Sequence, residues 1–193
     1  MIKRLFVLLM AASLASCAAK PSKKVSAASS AAPAPSKEVY LNNVSATAGV
    51  TSEAGKTASD FSWYNSEGKK VSLNSFRGKT VLINFWATWC GPCKEELPDI
   101  EAISKQYSSK GLVVIGVSED NGDRVLNDVS RFAEKHGLTY QIVVDNNDIA
   151  DAYGNINAIP TSFIVNKDGK IVDQWVGLRN KSFFESAVKK YLD

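Results

Sequence analysis

Histidine occurs once and cysteine three times in 193 residues. One histidine and no second cysteine pair do not give the paired ligand spacing of a structural zinc site. Three cysteines are also too few for the disulfide framework of a small secreted scaffold. A long apolar run at the start is missing as well. Leu5 to Ala12 are all apolar, but eight residues fall far short of the roughly 20 that a membrane-spanning helix needs. Charge of one sign is scarce. The chain carries +3, of which residues 1–17 hold +2 and residues 18–55 another +2, leaving −1 for residues 56–193. A near-neutral folded part offers no electrostatic footprint for nucleic acid. No internal repeat is visible.

What is present begins with Lys3 and Arg4, then the apolar Leu5–Ala12, then small residues ahead of Cys17. A basic start, an apolar core and small residues in that order read as an export signal; a short buried helix with a chance cysteine is the alternative. Ala18 to about Gly55 is rich in Ala, Ser, Pro and Lys, with almost no large apolar residue before Val39. Such a stretch buries too little surface to offset its ordering entropy, so it reads as a flexible tether. Over about 38 residues its root-mean-square reach is roughly 35 Å. The alternative for one part of it is an edge strand built from Val39-Tyr40-Leu41 and Val44. A basic tether next to a membrane can touch anionic lipid or act only as a solubilising linker.

Leu14-Ala15-Ser16-Cys17 resembles a lipobox, the processing site of bacterial lipoproteins. The resemblance implies cleavage before Cys17 and lipid on its sulfur. Two or more acyl chains there would anchor the protein stably and remove Cys17 from redox chemistry. The chain thus divides into a leader over 1–16, a lipid-anchored linker over 17–55 and a folded domain over 56–193.

The domain alternates strands and helices. Phe61-Ser62-Trp63-Tyr64 and Lys70-Val71-Ser72-Leu73 flank Asn65-Ser66-Glu67-Gly68, a hairpin signal. Thr80–Thr88, broken only by Asn84, and Leu112–Val117 read as strands buried on both faces. Between them Cys93, Leu97, Ile100, Ile103 and Tyr107 recur at helical spacing, with Gly111 past the end. Pro98 bends that helix. Strand, helix, strand makes a parallel crossover unit. A second helix is expected over Asp123–His136, with His136 as its C-terminal residue, then a strand over Tyr140–Val144 and a short turn of helix over Asp148–Tyr153. A hairpin of Ser162–Val165 and Lys170–Val176 follows. Ser182 with Glu185 suggests a capping box for the last helix. The fold class is α/β, a central mixed sheet with helices on both faces.

Cys90 and Cys93 sit where the first buried strand meets its helix. A pair this close closes almost no chain, so a passive staple gains little. Unpaired N–H groups and the positive dipole end at a helix start favour an anion. The thiolate is the reactive form, so Cys90 is the attacking sulfur, with its pKa drawn toward the roughly 3.5–7.5 of C-x-x-C centres. Cys93, one turn inward, then attacks the sulfur of Cys90 and releases the partner. Gly91 and Pro92 complete the motif, and Pro92 suits the first turn because its missing N–H would be unpaired anyway. Glu96 lies one turn after Cys93 on a similar face and is a candidate proton carrier; an exposed helix carboxylate like Glu95 is the alternative. Trp86 and Trp89 read as packing and rim residues, with Trp89 able to offer apolar contact beside Cys90.

The order of elements, Trp89-Cys90-Gly91-Pro92-Cys93 at the first strand–helix junction, and Ile159-Pro160-Thr161 before a hairpin together resemble thioredoxin. The front hairpin, the inserted helix and Phe85–Pro98 are similar to its extracytoplasmic, membrane-anchored TlpA/ResA-like branch. The resemblance covers about residues 57–190. It implies a thioredoxin fold and a thiol–disulfide oxidoreductase with no cofactor. It also implies a cis-proline loop in which Pro160 faces the cysteines and pairs with partner backbone, while Ile159 influences partner choice. It points to Glu96 as well. Asn84 stands where thioredoxin carries a buried Asp and cannot titrate. The implied targets are exported proteins with disulfides: apocytochrome c, a copper-site protein or a methionine sulfoxide reductase. The implied electron donor is a membrane protein of the DsbD/CcdA kind. Gly91-Pro92 matches the thioredoxin dipeptide and tilts the direction toward reduction. A disulfide-forming oxidase of the same fold and a redox-inert metal-binding lipoprotein remain the alternatives. A peroxidase of related fold would want Pro-x-x-x-Thr-x-x-Cys. Here Asn84 precedes Thr88 at the proline position and Cys90 falls one residue short.

Overall fold

The computed structural model describes residues 39–41, 55–65 and 67–192. The leader, Cys17 and the rest of the tether lie outside the described residues. Two strands, β2 (Ser62–Tyr64) and β3 (Lys70–Ser72), form the front hairpin, followed by a 3-10 turn over Leu73–Phe76. Then come β4 (Thr80–Trp86), α1 (Gly91–Tyr107), β5 (Leu112–Ser118), α2 (Val125–Lys135), β6 (Gln141–Val144), α3 (Asp148–Ala152), β7 (Thr161–Val165), β8 (Ile171–Val176) and α4 (Lys181–Lys189). Three residues of the segment read as a tether, Val39–Leu41, form β1 at the sheet edge, parallel to β6. This is the edge-strand alternative for that stretch.

The main sheet runs β1-β6-β5-β4-β7-β8. β4, β5 and β6 are parallel neighbours, and β7 and β8 add antiparallel. Every residue of β4 is buried. Alternation along the strand sends Leu82 and Trp86 to a core shared with α1, α2 and α4, and Val81, Ile83 and Phe85 to a second core under the hairpin, the 3-10 turn and α3. Helices therefore cover both faces, three on one and a short one on the other. No helix among the described residues is long and apolar enough to cross a membrane.

The cap of α4 differs from the expected Ser182–Glu185 box. Asn180, in extended backbone, is the N-cap, and its side-chain oxygen accepts from the N–H of Phe183 at 3.0 Å. Glu185 is taken instead by the hydroxyl of Tyr107 and by Lys189. His136 is the C-cap of α2 and stacks on Phe132, ring centroids 4.1 Å apart.

Gly116 shows how tightly the first core closes. A Cβ there would meet Trp86 Nε1 and Tyr140 Cε2, each at 2.9 Å. Both rings are buried, so neither can swing into solvent. Gly116→Ala is expected to cost about 1–3 kcal/mol by overpacking, read as a lower denaturant midpoint with unchanged m.

Candidate active site

The C-terminal end of β4 delivers the chain to α1 through Ala87-Thr88-Trp89-Cys90. Cys90 is the N-cap of α1; its extended backbone (φ −77°, ψ 112°) ends the strand-side run, and its carbonyl accepts from Lys94 N–H at 3.2 Å, the first bond of the helix. Gly91 and Pro92 fill the first two helical positions, and α1 runs on through Pro98. Cys90 and Cys93 are joined as a disulfide. The backbone N–H of Cys93 also donates to Cys90 Sγ at 3.2 Å. That donor is what a helix start offers an anion, and it is aimed at this sulfur. Cys90 is 5% exposed and Cys93 is 0% exposed. Both are thus buried in this disulfide state, and what little exposure the pair has belongs to Cys90.

Other elements close on this junction. The Ile159–Pro160 peptide is cis, and the carbonyl oxygen of Ile159 lies 3.8 Å from Cys90 Sγ. Pro160 is buried and its carbonyl accepts from Gly177 N–H at 2.7 Å, which ties the loop after β8 to the site. Ile159 is half-buried and packs against both cores. Trp89 is 66% exposed, the most exposed large hydrophobic side chain among the described residues. It is a rim residue, whereas Trp86 is core.

Glu96 is buried beneath the disulfide-bearing turn of α1, unlike its exposed neighbour Glu95. Asn84 Nδ2 donates to its Oε1 at 2.8 Å, and the backbone N–H of Arg179 donates to its Oε2 at 3.1 Å. Asn84 Nδ2 also donates to Ser162 Oγ at 2.9 Å. Burial raises the Glu96 pKa to about 7, against the lowering pull of those two hydrogen bonds and of the Arg179 charge. A carboxyl that exchanges its proton near neutrality one helical turn from Cys93 can carry a proton for that sulfur. Asn84 does not titrate here; it orients the group that does. Nothing local in the sequence marks Arg179, which acts through a loop N–H. Among the described residues no group of three or more His, Cys, Asp or Glu is placed to hold a metal.

Residues 54–174 match the family model described as the AhpC/TSA family. The chain is 37% identical over 139 residues to the thiol-disulfide oxidoreductase ResA of Bacillus thuringiensis (strain Al Hakam), covering 72% of this chain and 78% of that protein. Among solved structures, a thiol:disulfide interchange protein of the thioredoxin family from Chlorobium tepidum superposes with a TM-score of 0.64 at 31% identity, over 72% of this chain and 97% of that one. The pneumococcal exposed lipoprotein thioredoxin from Streptococcus pneumoniae does so with a TM-score of 0.58 at 27% identity, over 68% of this chain and 98% of that one.

Proposed function

The chain belongs to the AhpC/TSA family and is a thioredoxin-fold thiol–disulfide oxidoreductase; from that premise we propose that it reduces disulfides in exported proteins while held at the membrane by lipid on Cys17. The observation that carries the reading is a disulfide whose first sulfur belongs to the helix N-cap, beside the Ile159 carbonyl, and whose second belongs to the fully buried Cys93. The Cys90 thiolate attacks one sulfur of the partner's disulfide. A mixed disulfide forms, and the partner's other sulfur leaves as a thiolate and takes a proton. Cys93 gives its proton to the Glu96 carboxylate and attacks Cys90 Sγ. The partner's second thiolate leaves. Two electrons have passed to the partner, and Cys90–Cys93 is the disulfide seen here.

Trp89, Ile159 and Pro160 are the contact surface for the partner, with backbone pairing at Ile159. Two things support the anchor: the order of leader, small residues and Cys17, and the lipoprotein named among the similar structures. The partners are extracytoplasmic disulfide proteins such as apocytochrome c, a copper-site protein or a methionine sulfoxide reductase, and a DsbD/CcdA-like membrane protein returns the electrons. A peroxidase reading of the same fold is disfavoured because the Thr88 hydroxyl is committed to Asp120 and Asn84 fills the proline position.

The midpoint potential of Cys90/Cys93 against glutathione separates reductase from oxidase. Thioredoxin lies near −270 mV and the strong oxidant DsbA near −120 mV. A value below about −220 mV is expected. One above about −150 mV would transfer the chain to the disulfide-forming class.

A further inference from the structure

Thr88 stands two residues before Cys90. Its backbone N–H donates to Asp120 Oδ2 at 2.8 Å, and its hydroxyl donates to Asp120 Oδ1 at 2.6 Å. The hydroxyl of Ser118 donates to Asp120 Oδ2 at 2.8 Å. Three hydrogens thus converge on one carboxylate that is 8% exposed and in no ion pair among the described residues. A buried carboxylate without a cation is costly unless its lone pairs are filled. The neighbouring Glu119 feels this charge: burial, then Asp145, Asp120 and Asp151, push its pKa to about 8.

A carboxylate that merely finished β5 would bond within its own turn. This one uses both oxygens on Thr88, 32 positions away in the chain. The rest of the segment is held at its ends. Glu119 N–H donates to the Trp86 carbonyl at 2.8 Å, and Cys90 N–H donates to the Ala87 carbonyl at 3.1 Å. Asp120 supplies the tie between them, so that Thr88 points inward and Trp89 outward.

We propose that Asp120 is a positioning residue that, through Thr88, pre-orders the turn carrying Cys90 and sets a fixed negative charge behind it, and thereby makes the Cys90/Cys93 pair more strongly reducing. This rests on reading the pair as the redox centre. Both effects have one sign. A pre-ordered turn keeps the two sulfurs in closing geometry, so less freedom is lost when the disulfide forms. A carboxylate bonded to the residue two positions before Cys90 disfavours its thiolate and hence the reduced state. In the exchange with glutathione disulfide, the two Cys thiols lose two electrons and two protons and two glutathione thiols appear. Asp120 shifts that balance toward the protein disulfide.

The test equilibrates the full chain with glutathione buffers, as wild type, Asp120→Asn, Thr88→Val and Thr88→Ser, with a denaturant midpoint measured for each. Asp120→Asn is expected to move the equilibrium about tenfold toward the dithiol, equivalent to about 30 mV. Thr88→Val, which loses only the hydroxyl bond, moves it about threefold the same way. Thr88→Ser keeps both bonds and leaves it in place. Thr88→Val carries the comparison should Asp120→Asn not fold. A purely structural clamp would lower the midpoints and leave the equilibrium constant alone; that result, or a shift toward the disulfide, overturns the proposal. A wild-type pair that does not exchange with glutathione at all would overturn the oxidoreductase reading and this proposal with it, whereas a wild type that exchanges normally beside unchanged variants overturns this proposal alone.

Discussion

Cys93→Ala is expected to accumulate as mixed disulfides through Cys90, while Cys90→Ala forms none. In the first protein the attacking sulfur still sits at the helix N-cap under the N–H of residue 93. It can open a partner's disulfide, but no second sulfur is present to release it. In the second, the remaining sulfur is 0% exposed and no partner reaches it. Both variants are expected to lose turnover with insulin by on the order of a thousandfold or more. The two losses are not additive in the double variant, since the sulfurs act as one unit. Non-reducing gels and mass spectrometry of the adducts check the difference between them. Adducts on Cys93 in the Cys90→Ala protein would reverse the assigned roles. Neither change should disturb the fold much, because a three-residue separation closes too little chain for its bridge to stabilise the domain strongly.

The strands and helices were legible because their signals are local. A continuous apolar run such as Thr80–Trp86 is a strand buried on both faces wherever it sits. The helical recurrence of Cys93, Leu97, Ile100 and Ile103 places those four in one core. The cysteine pair was legible for the same reason, since a strand end and a helix start are adjacent in the chain. The parts that were not legible are contacts across the sheet. Asp120 reaches Thr88 over 32 positions and Arg179 reaches Glu96 over 83, the latter through a backbone N–H that any residue type could supply. Nor does a sequence say which of Asn180 and Ser182 takes the extended backbone of a cap, since both have a suitable side chain within two positions. β1 was on view only as an alternative: Val39-Tyr40-Leu41 could make an edge strand, but the edge that takes it, parallel to β6, is set by topology. A single polar residue in an apolar strand, Asn84, was the one cross-sheet signal on view. It marked the position that orients Glu96.

Glu96→Gln should move activity and stability in opposite directions. In the disulfide form the Glu96 pKa is raised from 4.5 to about 7, chiefly by burial. The folded protein therefore holds this proton more tightly than the unfolded chain does. Below pH 4.5 both states are protonated and there is no penalty. As pH rises from 4.5 through 7 the unfolded chain ionises first and stability falls. Above 7 both are ionised, and the folded state carries a cost on the order of 3 kcal/mol. Gln abolishes that cost but has one acceptor oxygen for the two donors, Asn84 Nδ2 and the Arg179 N–H, so a net gain of roughly 1–2 kcal/mol at pH 8 is expected, with none at pH 4. Glu119, raised to about 8, pulls the same way and remains in the variant. The pH slope of stability should accordingly shrink rather than vanish. The chemistry responds in the other sense. When a thiol attacks Cys90 to re-reduce the protein, Cys93 leaves as a thiolate inside the core and needs a proton at that moment. Protonated Glu96 is the donor one turn away, and it is half-populated near pH 7. The rate constant for reduction by dithiothreitol, expressed per attacking thiolate, should thus fall through pH 7 in the wild type. In Glu96→Gln it should be flat and roughly a hundredfold lower at pH 6. A variant as fast as wild type, with the same pH limb, would remove Glu96 from the proton path and leave its burial without a chemical purpose.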